Sequence, residues 1–155
     1  RGAQDGGRER AGAVTSLPVG GSFLCGAVRF RVERMSGIVE CHCSMCRKAA
    51  GGHAGFFFVA LRDEVTWEGE EHLTVHRSSP ALERSFCSRC GTAMTGANLL
   101  EPDDTIVLAA NALDEPVPAR VIAREHAASK ASWFEGHDAA PACEGPWPGW
   151  RDLKP

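Results

Sequence analysis

Residues 23–33 read FLCGAVRFRVE, and from Val28 onward the side chains alternate strictly. Val28, Phe30 and Val32 fall on one side; Arg29, Arg31 and Glu33 fall on the other. A period of two with one apolar face specifies a β-strand half buried against a core. Outward from there the pattern recurs in short pieces. Residues 37–41 form a strand that runs into a cysteine cluster, and residues 55–61 (GFFFVAL) are an unbroken apolar run of strand length. Residues 65–67, 72–77 and 83–87 are short strands bounded by charged, Gly, Ser or Pro residues, and residues 105–110 (TIVLAA) are another apolar one. Residues 119–126 (ARVIAREH) suit a strand or a helical turn, and periodicity does not choose between them. One segment, 44–50 (SMCRKAA), reads as a helical turn, with Ser44 as its N-cap and Gly51-Gly52 as its end. Many short strands, little helix and no internal repeat predict a mainly β domain.

Cysteines dominate the chemistry. Cys41-His42-Cys43-Ser44-Met45-Cys46 is a C-x-C-x-x-C run, which brings three thiolates within reach of one ion. Cys87-Ser88-Arg89-Cys90-Gly91 is a zinc knuckle, in which the glycine permits a positive φ that turns backbone N–H groups toward sulfur. Cys25 stands alone upstream and can join either set. Seven cysteines is an odd number, and close pairs rarely bridge each other, so metal-bound thiolates in a reducing cytoplasm fit better than disulfides. Cys143, isolated near the C-terminus, reads as a free thiol.

Three protein ligands with an open fourth position is the catalytic pattern of zinc, and four protein ligands is the structural one. Cys41, Cys43 and Cys46 have no fourth cysteine nearby in sequence. Strand alternation turns His42 away from its cysteine neighbours, which makes it a non-ligand. His53 is the better candidate for a fourth ligand or an acid–base group, with a surface histidine in a Gly-rich loop as the plainer reading. Arg47 and Lys48 either offset the thiolate charge and hold a ligand carboxylate, or are solvated surface cations. Phe56, Phe57 and Phe58 belong to the core, with one ring available to line a pocket. Residues 98–104 (NLLEPDD) read as a pocket rim or a solvated turn.

The 155 residues make one domain of ordinary globular composition, 43% hydrophobic and 24% charged. Residues 1–14 have the composition of a mobile tail, 15–140 that of the zinc-binding domain, and 141–155 that of a Pro- and Trp-rich strap over its surface. A formal net charge of -3 offers no footprint for nucleic acid. No apolar run reaches the length of a membrane span, and no signal-peptide pattern is expected at the start.

Taken in order, the motifs resemble a known family. They are Gly21-Ser22-x-x-Cys25-Gly26-Ala27-Val28-Arg29-Phe30, then Cys41-His42-Cys43-Ser44-x-Cys46-Arg47-Lys48, Arg77-Ser78-Ser79-Pro80, Phe86-Cys87-x-Arg89-Cys90-Gly91-Thr92 and Ser129-Lys130-Ala131-Ser132-Trp133-Phe134. Together they are similar to the glutathione-dependent formaldehyde-activating enzymes, a family that also includes centromere protein V. The resemblance implies a β-tent of stacked short antiparallel sheets. It implies a catalytic-type zinc on Cys41, Cys43 and Cys46, and a structural zinc on Cys25, Cys87 and Cys90. It also implies a carbon–sulfur lyase-type activity that joins a thiol such as glutathione to a small aldehyde such as formaldehyde. Phe23 stands where the family usually has the first cysteine of a C-x-C pair. The rival reading is a non-catalytic zinc-stabilised binding module. A redox role for Cys87 and Cys90 is disfavoured, because the motif does not open a helix.

Overall fold

The computed structural model describes residues 14, 18–98, 104–114, 116–117, 119–136, 139–153 and 155. Residues 1–13 of the expected mobile tail and most of the 98–104 rim lie outside these residues. Among them are ten strands, one α-helix and several short 3₁₀ turns. The strands are β1 (Val19–Ser22), β2 (Arg29–Val32), β3 (Ile38–Cys41), β4 (Gly55–Leu61), β5 (Val65–Glu68), β6 (Leu73–Ser79), β7 (Leu82–Cys87), β8 (Ala93–Asn98), β9 (Thr105–Ala109) and β10 (Val121–Glu125). Helix α1 spans Ser44–Ala50. The mainly β expectation holds, with little helix. The strands form a three-stranded sheet, β1-β2-β5, and a seven-stranded sheet, β10-β3-β4-β9-β8-β7-β6. All the pairs are antiparallel except β10 with β3, which is parallel and makes the large sheet mixed.

The main core lies between the two sheets. Phe23, Val28, Phe30 and Val32 come from the small-sheet side, and Phe58, Ala60, Met94 and Leu108 from the large sheet. Val28 and Val32 are fully buried while Arg29, Arg31 and Glu33 are exposed, as alternation requires. The predicted strand over 23–33 is nevertheless shorter. Residues 23–28 are a turn closed by the Phe23 N–H to Val28 carbonyl bond (3.0 Å), and this turn places Cys25. The unbroken apolar run of β4 has a simple cause: Phe58 and Ala60 face the main core, while Val59 packs with Val39 and Leu153 on the other face. A strand covered on both faces cannot alternate. Trp147, Trp150 and Leu153 of the C-terminal segment belong to that second cluster.

Gly69 joins the small sheet to the Cys25 turn. It holds φ +76°, and a Cβ added there would lie 1.9 Å from the Ala27 carbonyl oxygen. Gly91 has a similar φ of +77° but open space around it. Gly91→Ala is expected to cost only the left-handed penalty, about 1–2 kcal/mol. Gly69→Ala adds a backbone collision that pushes the Cys25 turn, for a total of at least about 3 kcal/mol. Urea unfolding of the two zinc-loaded variants checks this, and equal midpoints would refute it.

Candidate metal centres

The first centre is built at the end of β3. Register places Cys41 opposite Gly55 of β4 and beside Glu125 of β10, in the interior of the sheet. The chain then leaves the strand and enters α1, whose N-cap is Cys43 rather than the expected Ser44. The Cys43 sulfur accepts the backbone N–H of Cys46 at 3.3 Å, doing the work of a capping oxygen. Ser44 becomes the first helical residue, and one turn of helix brings Cys46 round. The three Sγ atoms lie within 4.8 Å of one another. Three sulfurs at about 2.3 Å from one zinc stand about 3.8 Å apart, so the donor set fits that ion.

The charges around this triad are unequal. The Cys46 thiol is pulled down to about 6 by hydrogen bonds from the Cys41 thiol, Arg84 and Cys43, against the effect of burial. Cys41 is pushed well above the usual thiol range by sharing that bond with Cys46 and by burial. Cys46 is therefore the resident thiolate, and Arg84 Nη2 donates to it at 3.6 Å. Arg47 turns inward, and its Nε donates to the His42 carbonyl at 3.2 Å, which fixes the loop between two of the cysteines. Lys48 is exposed and lines a cavity of about 420 Å³. That cavity is shared with Arg84, Phe56, Phe57, Cys90 and Thr92.

Behind the triad lies a buried polar group. Glu40 (4% exposed) presents one carboxylate oxygen to His42 Nε2 at 3.3 Å and to His53 Nε2 at 3.4 Å. Burial pushes the pKa of His42 down, and its Nδ1 is buried with no hydrogen-bond partner among the described residues. His42 and His53 both lie outside the sulfur triad. The His53 ring stacks on Phe134, with centroids 3.7 Å apart and planes at 17°. Phe56 meets His53 edge-on, while Phe58 is core.

The second centre joins the two sheets. Cys87 ends β7, Cys90 follows in the β7–β8 turn, and Cys25 comes from the turn before β2. Their sulfurs also lie within 4.8 Å of one another, with Cys25 and Cys87 at 3.7 Å. That matches a shared metal and is far from a disulfide. The knuckle geometry is present: the Arg89 N–H donates to Cys87 Sγ at 3.4 Å, and the Gly91 N–H to the Cys87 carbonyl at 2.9 Å. The Cys90 thiol is pulled down to about 6 by the Thr92 hydroxyl and the Thr92 backbone. Phe23 is in the core, and Cys143 pairs through its backbone with Arg124, apart from both triads. All seven cysteines are free thiols.

These thiolates set a pH dependence for metal binding. Protons compete with metal for sulfur. Cys46 and Cys90 are already deprotonated above about pH 6, so they offer no competition there. Below about pH 6 each must lose a proton to bind, which steepens the fall in apparent affinity of its centre by about tenfold per pH unit. Competition titrations with a chromophoric chelator from pH 8 to pH 5 check this; an unchanged slope through pH 6 would contradict it.

Several groups at these sites have no local sequence signal. Arg84 is 38 residues from Cys46, and Thr92 enters the knuckle through its hydroxyl on Cys90 and through its carbonyl, which accepts the Cys87 N–H at 2.9 Å. Glu125 and His126 gather with Cys41 in a further group within 4.8 Å, while Glu125 Oε2 accepts the Trp147 N–H and the Trp150 Nε1–H at 3.1 and 2.7 Å. His126 has a φ of +53°.

The chain is similar to a Halomonas elongata protein that bears the name of the glutathione-dependent formaldehyde-activating enzymes, with 41% identity over 85 residues. That match covers 48% of this chain and 52% of the relative, so the chain spans about half the length of the curated relative it matches. It also resembles the crystal structure of a Rhodobacter sphaeroides protein at a TM-score of 0.53 and 24% identity, covering 64% of this chain and 91% of the other, a likeness of fold. The model of the family described as "Glutathione-dependent formaldehyde-activating enzyme" matches residues 18–134, and the chain belongs to that family.

Proposed function

We propose that this protein is an enzyme of the carbon–sulfur lyase type. It adds a small thiol such as glutathione to a small aldehyde such as formaldehyde, or reverses that addition, at Cys41, Cys43 and Cys46. The observation that carries this reading is the convergence of three sulfurs within 4.8 Å, with Glu125 and His126 gathered about Cys41 alone and no fourth side chain shared by all three sulfurs among the described residues. A zinc ion held there would supply a Lewis-acidic position at which a substrate thiol gives up its proton.

The chain's own residues account for the rest. In the addition a carbon–sulfur bond forms, the C=O π pair moves onto oxygen, and that oxygen takes the proton lost by the thiol. His53, half-exposed and backed by Glu40, is assigned the proton transfer. Arg84 offsets the negative charge of the sulfur cluster through its bond to Cys46. Lys48 and Arg84 give the neighbouring cavity two cations suited to the carboxylates of glutathione. Arg47 holds the ligand loop through the His42 carbonyl. Seven cysteines without a disulfide support a reducing cytoplasmic setting.

The test is exchange NMR with ¹³C-formaldehyde and glutathione at equilibrium. The zinc-loaded chain is expected to speed interconversion of free and thiol-bound formaldehyde by at least about 10², the lower range of acid–base catalysis. No acceleration by fully loaded protein would favour the zinc-stabilised binding module instead.

A further inference from the structure

The second triad differs from a closed structural site in ways that the backbone cannot repair. Cys25, Cys87 and Cys90 gather, and no fourth Cys, His, Asp or Glu joins them among the described residues. In the first centre a C-x-C pair brings two sulfurs together within 4.8 Å. The equivalent partner of Cys25 is Phe23, which is 2% exposed and packed in the main core. The nearest polar side chain, Thr92, has its hydroxyl 3.2 Å from Cys90 Sγ and accepts the Leu24 N–H at 3.2 Å, so it serves the sulfur and the loop. A neutral hydroxyl is a poor rival to thiolate for zinc.

The outer side of the triad is open. Cys25 is exposed, and its neighbour Leu24 is 88% exposed. Cys90, Gly91 and Thr92 form part of the wall of the cavity of about 420 Å³, while no residue of the first triad lines it. Across that cavity stand Lys48 and Arg84. The space beside the second centre is therefore roomy enough for a small molecule and lined with cations.

We propose that Cys25, Cys87 and Cys90 hold a metal ion with one coordination position open, and that a small acidic thiol entering from this cavity occupies it. Three thiolates on a divalent ion leave a net charge of -1, and a fourth makes -2. Lys48 and Arg84 favour a thiol that also carries a carboxylate. The thiol proton leaves to solvent as the metal–sulfur bond forms, and no redox change accompanies it. The cavity and its two cations are those offered above to a thiol at the first centre, so the test is made with that centre disabled.

The test uses the full chain with Cys43→Ser, which disables the first triad, loaded with one equivalent of cobalt(II). Mercaptoacetate and 2-mercaptoethanol are the probes. The thiolate-to-cobalt charge-transfer band is expected to grow by about one third as three sulfurs become four. Mercaptoacetate should saturate it at several-fold lower concentration than 2-mercaptoethanol, and Lys48→Ala should reduce that preference. Adding Phe23→Cys supplies the fourth sulfur from the chain and should abolish the response; if that variant does not fold, the titration of the parent still decides. A bound cobalt whose spectrum ignores both thiols overturns the proposal, and so does failure of the chain to bind cobalt there. Neither result bears on turnover at the first centre, which the formaldehyde exchange measures separately.

Discussion

Cys43→Ser will abolish thiol-dependent turnover while leaving the fold in place. The substitution removes one of three sulfurs at the first centre. A structural zinc worth about 10–16 kcal/mol over four ligands loses about 3 kcal/mol per ligand, or roughly 10²-fold in affinity. The helix does not suffer in parallel. Cys43 is the N-cap of α1 through its bond from the Cys46 N–H, and serine is among the preferred N-cap residues. The expected result is a drop from two bound metals to one by native mass spectrometry, with formaldehyde exchange at the uncatalysed rate and the circular dichroism of the folded chain retained at 25 °C while the second centre stays loaded. Persistent thiol-dependent exchange in this variant would mean that the chemistry lies elsewhere.

Stripping metal from both centres should have the larger effect on stability. The second triad ties the Cys25 turn of the small sheet to the β7–β8 turn of the large one, and Cys87 is itself part of the main core. Without an ion, three thiols must share that space, and the contact between sheets loses its clamp. A structural zinc contributes about 10–16 kcal/mol, comparable to the whole net stability of a domain at about 5–15 kcal/mol. A three-sulfur site contributes less, yet two such sites together still exceed the margin. The metal-free chain is expected to be largely unfolded at 25 °C by circular dichroism and to refold on addition of zinc. A cooperative melt at an unchanged temperature after verified metal removal would show that the hydrophobic core suffices alone.

The strands that could be read from sequence are those that bury one face or two. β2, β4 and β9 carry apolar residues at strand spacing, because each covers the core between the sheets. β1 (VGGS) and β8 (AMTGAN) passed unread, because glycine and small residues weaken any pattern and their place comes from pairing with β2 and with β7 and β9. The segment 119–126 stayed open until register decided it: Val121–Glu125 is a strand because it lies parallel to β3, a partner some 80 residues earlier. The helix was legible and its cap was not, since a sulfur acting as an N-cap acceptor follows from the metal-ligand loop and not from helix preferences.

By itself the sequence determined that this chain is a mainly β domain with two cysteine clusters of metal-ligand spacing. Both facts are local: alternation over a few residues, and cysteines two and three apart. Tertiary structure alone decided what surrounds those sulfurs. It placed Arg84 on Cys46, joined Glu40 to two histidines, brought Cys25 to Cys87 and Cys90, and set Phe23 in the core. These contacts span from two to more than sixty residues of chain. They depend on which strand lies beside which, and that is settled by burial of the whole core rather than by any short stretch of it.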